Sequence, residues 1–155
     1  MINRKIIFVI TLFLVLCFGA CNKKYVTNNY CEIPKEGWSY SDTLNYQFKI
    51  DDVNTKHSIF LNIIHNNDYK YRNLYLFTQL YDPDSVLTCD TIQFLLTDPS
   101  GQLLGRGIGE TKEAKFILAD NINFSKQGDY SLRIIQGMRD DYLFGIEKIG
   151  FVISK

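Results

Sequence analysis

Apolar and polar side chains alternate with a period of two along most of this 155-residue chain. No window of about eleven residues or more carries a helical stripe. Leu44, Tyr46, Phe48 and Ile50 alternate with Asn45, Gln47 and Lys49. Ile59, Leu61 and Ile63 share one parity, as do Ile92, Phe94 and Leu96. Phe116 and Leu118, then Tyr130, Leu132 and Ile134, then Ile149, Phe151 and Ile153 continue the pattern. From Tyr69 to Tyr81 both parities are apolar, the mark of a central strand. Asp51-Asp52-Val53-Asn54, His65-Asn66-Asn67-Asp68, Asp82-Pro83-Asp84-Ser85 and Asp98-Pro99-Ser100-Gly101 punctuate these runs as turns. One sheet alone would leave an apolar face in water. The expected fold is therefore all-β, an antiparallel β-sandwich of about seven to eight strands, with a small closed barrel as the alternative.

Hydrophobic residues at 46% exclude global disorder. Lys+Arg and Asp+Glu both total 17, so there is no basic excess to recruit nucleic acid.

The first twenty residues read as an address. Arg4 and Lys5 precede an apolar run, Ile6 to Leu16, broken only by Thr11. That run is short for a membrane span, which needs about 20 apolar residues, but it suits a secretory signal. Phe18-Gly19-Ala20-Cys21 then resembles a bacterial lipobox, with cleavage before Cys21 and acylation of its thiol and new amine. Acylation at each position adds anchoring of about 0.8 kcal/mol per buried methylene, which holds the chain to a membrane. Asn22 is not the Asp that resembles an inner-membrane retention signal, and Lys23-Lys24 is not an acidic surface-export run. The expected location is the periplasm-facing leaflet of the outer membrane. Residues 21–38, polar and without periodicity, read as lipidated Cys and tether. Residues 39–155 read as the sandwich.

Cys31 and Cys89 remain after cleavage. An oxidising compartment permits a bridge between them, worth roughly 4 kcal/mol in the chain-entropy picture. The alternative is two thiols that never meet. There is no C-x-x-C redox motif.

Nothing in the chain spells out catalysis. Gly101, Gly105, Gly107 and Gly109 lack the Lys-Ser/Thr pair and helix of a phosphate loop, and read as backbone kinks. His57 and His65 flank one strand, about 26 Å apart if it is regular, too far to share a metal. They read as surface histidines. No G-x-S-x-G elbow and no metal-ligand cluster is present, so the expectation is a non-enzyme with no cofactor and no metal. Tyr69, Tyr71, Tyr75 and Tyr81 read first as packed core or rim, and if exposed as anchors for a protein partner. Gly128-Asp129-Tyr130 reads as a corner pinned by the tyrosine hydroxyl.

An ordered set of pieces carries a family likeness. It runs from Cys21 through Gly37-Trp38, Asn66-Asn67-Asp68-Tyr69-x-Tyr71-x-Asn73-Leu74, Asp90-Thr91 and Asp98-Pro99-x-Gly101. Leu104-Gly105-x-Gly107-x-Gly109, Gly128-x-Tyr130, Gln136-x-Met138-Arg139, Gly145-Ile146 and Gly150 complete it. The chain thereby resembles the gliding-motility lipoprotein GldH family of Bacteroidota. The resemblance implies a small envelope lipoprotein, needed for surface gliding in a system linked to type IX secretion. It carries over no catalytic residue.

The expected function is a membrane-anchored, non-catalytic part of that machinery, with other envelope proteins as partners. Two segments are richer in polar and glycine residues than a connection requires. Asn66, Asn67, Tyr69, Tyr71, Arg72 and Asn73 form one, and Gly105, Arg106 and Gly107 form the other. Both are expected to face a partner. The rival expectation is a carbohydrate- or peptide-binding sandwich serving nutrient uptake, with Trp38 and the tyrosines lining a groove.

Overall fold

The computed structural model describes residues 25–155. The signal segment and Cys21 lie outside the described residues.

Ten strands follow one another without a helix among the described residues: β1 (Tyr25–Glu32), β2 (Trp38–Ser39), β3 (Leu44–Ile50), β4 (His57–His65), β5 (Asn73–Tyr81), β6 (Val86–Leu95), β7 (Lys112–Ile122), β8 (Gly128–Gln136), β9 (Tyr142–Leu143) and β10 (Ile146–Ser154). Two four-stranded sheets form, ordered β1-β10-β4-β7 and β3-β8-β5-β6, and β2 pairs with β9 as a short ribbon. Every pairing is antiparallel. This is the expected sandwich. At one edge β1 packs over β3. Toward the other, Phe94 of β6 meets Phe116 of β7, ring centroids 4.7 Å apart.

The alternation decides which faces meet. Tyr46, Phe48 and Ile50 of β3 are buried while Asn45, Gln47 and Lys49 are exposed. Leu61 and Ile63 on β4 face the core beside Ile149 and Phe151 on β10. Each such side chain contributes about 1.5–3 kcal/mol by leaving water. Phe48 stacks on Tyr130 with centroids 5.5 Å apart, and Phe124 meets Tyr130 edge-on at 5.0 Å. The Tyr130 hydroxyl donates to the Lys126 carbonyl at 2.9 Å, the expected corner.

Two expectations need correction, and one alternative left open is decided. Residues 25–38 are not a tether. β1 pairs with β10 from Tyr25 to Glu32, and Trp38 is fully buried. The inward positions of β1 are Thr27, Asn29 and Cys31, opposite Ile153, Phe151 and Ile149. An edge strand with small or polar inward residues shows no apolar alternation. Cys31 and Cys89 are both free thiols, which decides the open alternative. Cys31 sits against the Tyr46 hydroxyl on β3, whereas Cys89 lies on β6 at the opposite edge of that sheet. Second, His57 and His65 are buried, not superficial. Both share the inward parity of Ile59, Leu61 and Ile63.

Candidate functional site

The strand directions sort the connections into two ends. One end holds the segments 33–43, 66–72, 96–111 and 137–145, the loop end. The other holds 51–56, 82–85, 123–127 and both Tyr25 and Lys155, the terminal end. Both segments expected to face a partner fall at the loop end, although some thirty positions separate them.

The 66–72 connection is built from its own polar side chains. Asn66 accepts at Oδ1 from the Asp68 amide (2.9 Å) and donates from Nδ2 to Glu147 (2.8 Å). Thr111 donates to the same Glu147 oxygen at 3.2 Å, which ties the glycine-rich segment to this loop. Tyr69 turns inward and is buried, its hydroxyl donating to the Asn73 carbonyl at 2.7 Å. Burial pushes that hydroxyl's pKa well above its ordinary value. Tyr71 is half-buried and donates to Asp140 at 2.8 Å, a carboxylate acceptor that raises the phenol's pKa. Asn67 and Arg72 are exposed, and Asn73 is partly so as it begins β5. Tyr69 and Tyr71 thus hold the loop, while Asn67 and Arg72 are free to meet a partner.

The glycine-rich segment is a projecting hairpin. Arg106 and Glu113 exchange backbone hydrogen bonds at 2.9 and 2.7 Å. Gly105 has φ +117°, and a Cβ there would run into the Glu113 carbonyl, so the position requires glycine on both counts. The Lys112 ammonium donates to the Gly107 carbonyl at 2.8 Å. From beneath, His65 donates from Nε2 to the Leu104 carbonyl at 3.0 Å. Its Nδ1 is buried with no partner, and burial lowers its pKa.

At the hairpin's tip Ile108 is 100% exposed. An isoleucine standing wholly in water has no structural use. Ile108 lies inside the segment Leu104 to Gly109 expected to face a partner, although Gly105, Arg106 and Gly107 are the residues singled out there. An apolar residue between two glycines, inside a turn, was the available signal.

Beside the hairpin lies an open cleft of about 1010 Å³. Ile33, Lys35, Asn66, Lys70, Phe144 and Glu147 are among its walls. Acids and bases alternate around it, so it selects no single charge. Phe144 is exposed at its mouth. Among the described residues no three His, Cys, Asp or Glu side chains are grouped to hold a metal ion.

Trp38 takes no part in a groove. It is fully buried, and its Nε1 donates to the Asp42 carbonyl at 3.1 Å. The aromatic platform expected for sugar binding loses its tryptophan. Tyr75 and Phe77 are exposed instead on the outer face of β5, with Tyr81 under the Arg133 guanidinium at 4.9 Å.

The family model described as GldH lipoprotein matches residues 25–153, almost the whole described domain. The chain belongs to the GldH lipoprotein family. A relative from Christiangramia forsetii, called gliding motility lipoprotein GldH homolog, is 34% identical over 153 residues. That match covers 94% of this chain and 93% of the relative. The gliding motility lipoprotein GldH of Flavobacterium johnsoniae is 27% identical, with 94% of each chain covered. Among solved structures, an exo-beta-1,3-galactanase from Phanerochaete chrysosporium aligns at TM-score 0.39 and 12% identity. That alignment covers 84% of this chain and 27% of the galactanase, and bears on neither function nor mechanism. Within the GldH family the matched span starts at β1, so the edge strand is part of the family's domain.

Proposed function

We propose that this chain is a lipid-anchored, non-catalytic docking component of the envelope machinery for gliding motility, linked to type IX secretion. The names of its relatives support the machinery. Acylation of Cys21 is the anchor, in the periplasm-facing leaflet of the outer membrane.

One observation carries the docking role: the loop end, with Ile108 at its tip, is opposite the end where β1 begins. Tyr25 follows Cys21 by four positions, a reach of about 14 Å at full extension. The strands then carry the loop end about 30 Å farther from the terminal end. The anchor confines the protein to two dimensions and raises its effective concentration near membrane partners. The loop end presents Asn67, Arg72, Arg106 and Ile108 toward whatever stands off the membrane.

The test is a crosslinked pull-down of the tagged, lipidated protein from its own membranes, read by mass spectrometry. Wild type should recover motility or type IX secretion components. A triple variant, Arg72→Glu, Arg106→Glu and Ile108→Asp, should lose them while melting at the same temperature. Unchanged recovery by the triple variant overturns the docking assignment. Recovery of glycan-uptake proteins by wild type overturns the motility assignment.

A further inference from the structure

We propose that the free edge of β6 is a strand-addition site, taking an extended segment of another envelope protein as the next strand of the sheet. β6 is ten residues long and ends the order β3-β8-β5-β6, with no strand beyond it among the described residues. The ladder fixes which backbone groups are free. The Leu96 amide donates to the Arg72 carbonyl at 2.8 Å, which fixes the phase of the β5–β6 ladder at the directly opposed positions 72 and 96. Alternation makes 74/94, 76/92 and 78/90 bonded pairs as well. Cys89, Thr91 and Gln93 therefore point their N–H and C=O groups off the sheet.

The other three edges carry the devices that prevent such pairing. β7 has two register shifts against β4 and carries Lys112 and Lys115. β1 has a shift near Tyr25 and an ion pair from Glu32 to Lys148 at 2.6 Å. β3 carries Lys49. β6, reading VLTCDTIQFL, has no lysine, arginine or proline, its single charge is Asp90, and its one register shift lies at the Val86 end, clear of Cys89, Thr91 and Gln93.

The flanking side chains define the occupant's chemistry. On the outer face Thr91 stands beside exposed Phe77, and Gln93 beside exposed Tyr75. On the other face Thr88 and Asp90 are exposed because the opposite sheet does not cover them. The matching segment is extended, apolar on alternate residues against Phe77, and basic beside Asp90. A second copy of this chain fits poorly. Two-fold antiparallel pairing through β6 turns the copy upside down and puts its Tyr25 at the first copy's loop end. That exclusion rests on the Cys21 anchor proposed above, whose short connection cannot span the height of the sandwich.

The test uses the detergent-solubilised lipidated protein and a fluorescein-labelled heptapeptide alternating valine and threonine around a central lysine. Fluorescence anisotropy should show saturable binding. Thr91→Pro removes an outward donor without touching the β5 ladder, and should weaken binding about tenfold. The same peptide N-methylated on alternate amides should weaken equally with unaltered protein, which excludes misfolding as the cause. Asp90→Lys should weaken the lysine peptide and strengthen its glutamate counterpart. Absence of saturable binding overturns the proposal, as does equal binding by Thr91→Pro. Sedimentation of wild type as a dimer that Thr91→Pro dissolves also overturns it, in favour of a second copy. The loop end takes no part in this assay, so failure here leaves the crosslinking result to judge the docking role by itself.

Discussion

The ring of Tyr30 occupies the space where a side chain at Gly150 would stand. From β1 the ring crosses β10 at this glycine. Its hydroxyl then accepts from Asn62 on β4 at 2.6 Å and donates to Glu113 on β7 at 2.8 Å. One tyrosine on an edge strand thereby straps all four strands of its sheet. Gly150→Ala should push the ring away and strand the Asn62 amide, whose Oδ1 already lacks a partner. The expected loss is about 1–3 kcal/mol. Tyr30→Phe should cost about half as much, since the ring still covers the sheet. Chemical unfolding checks both, and a Gly150→Ala variant as stable as wild type would show that the strap adds nothing.

Gly145 is a harder case. Its φ is +79°, and a Cβ would run into the Tyr69 backbone, which cannot swing away as a side chain can. Gly145→Ala should cost about 2 kcal/mol or more. It should also raise amide exchange at Asn66, whose N–H donates to the Gly145 carbonyl at 2.9 Å.

Acid should weaken the fold in two steps. Burial holds His57 and His65 below the ordinary 6.5, so the unfolded chain takes up protons that the native one refuses. Stability is unaffected by them above 6.5 and falls as the pH drops below it. Urea midpoints measured between about pH 7.5 and 5 should show this slope, and a His57→Gln/His65→Gln variant should flatten it. Farther down, the Lys126 ammonium and the Asp84 and Ser85 amides hold Asp82 at about 2. Its contribution is present above 3.8 and is lost as the pH falls toward 2.

Ile108→Asp alone should leave stability within about 0.5 kcal/mol of wild type, because the side chain touches nothing. It should still reduce crosslinking to partners. A drop in melting temperature would mean that the isoleucine packs somewhere, and would remove it from the docking surface.

The two free thiols should differ in reactivity. Cys89 is exposed and should alkylate quickly in the folded protein, whereas Cys31, half-buried against Tyr46, should react only slowly. Melting should be insensitive to reductant. A melting temperature lowered by reductant would restore the bridge.

The sandwich was legible because the apolar alternation of several strands matches their buried face: Tyr46, Phe48 and Ile50 go inward, and so do Ile59, Leu61 and Ile63. The same parity already contained the burial of His57 and His65. The polar character of histidine masked it. β1 was illegible for the opposite reason, since Thr27, Asn29 and Cys31 give the alternation nothing to register. Gly105 and Gly150 were visible as glycines, but what they make room for, a Glu113 carbonyl and a Tyr30 ring, comes from residues far away in sequence. The loop end was half legible: its segments stood out by composition, yet their meeting is a product of strand direction alone.

The pairing of β1 with β10 also sets how the domain would bear load. With the anchor proposed at Cys21 and a partner docked at the loop end, load would enter at Tyr25 and leave at the opposite end. β1 is then drawn along its own axis past β10, from Tyr25 opposite Ser154 to Glu32 opposite Lys148. The ladder's hydrogen bonds lie across that direction and are strained together, in shear, where a pull from the side would open them one at a time. The Tyr30 strap and the Glu32–Lys148 pair resist the same sliding. Under the proposed tethering, such a pull would grip the domain along the strand best placed to hold.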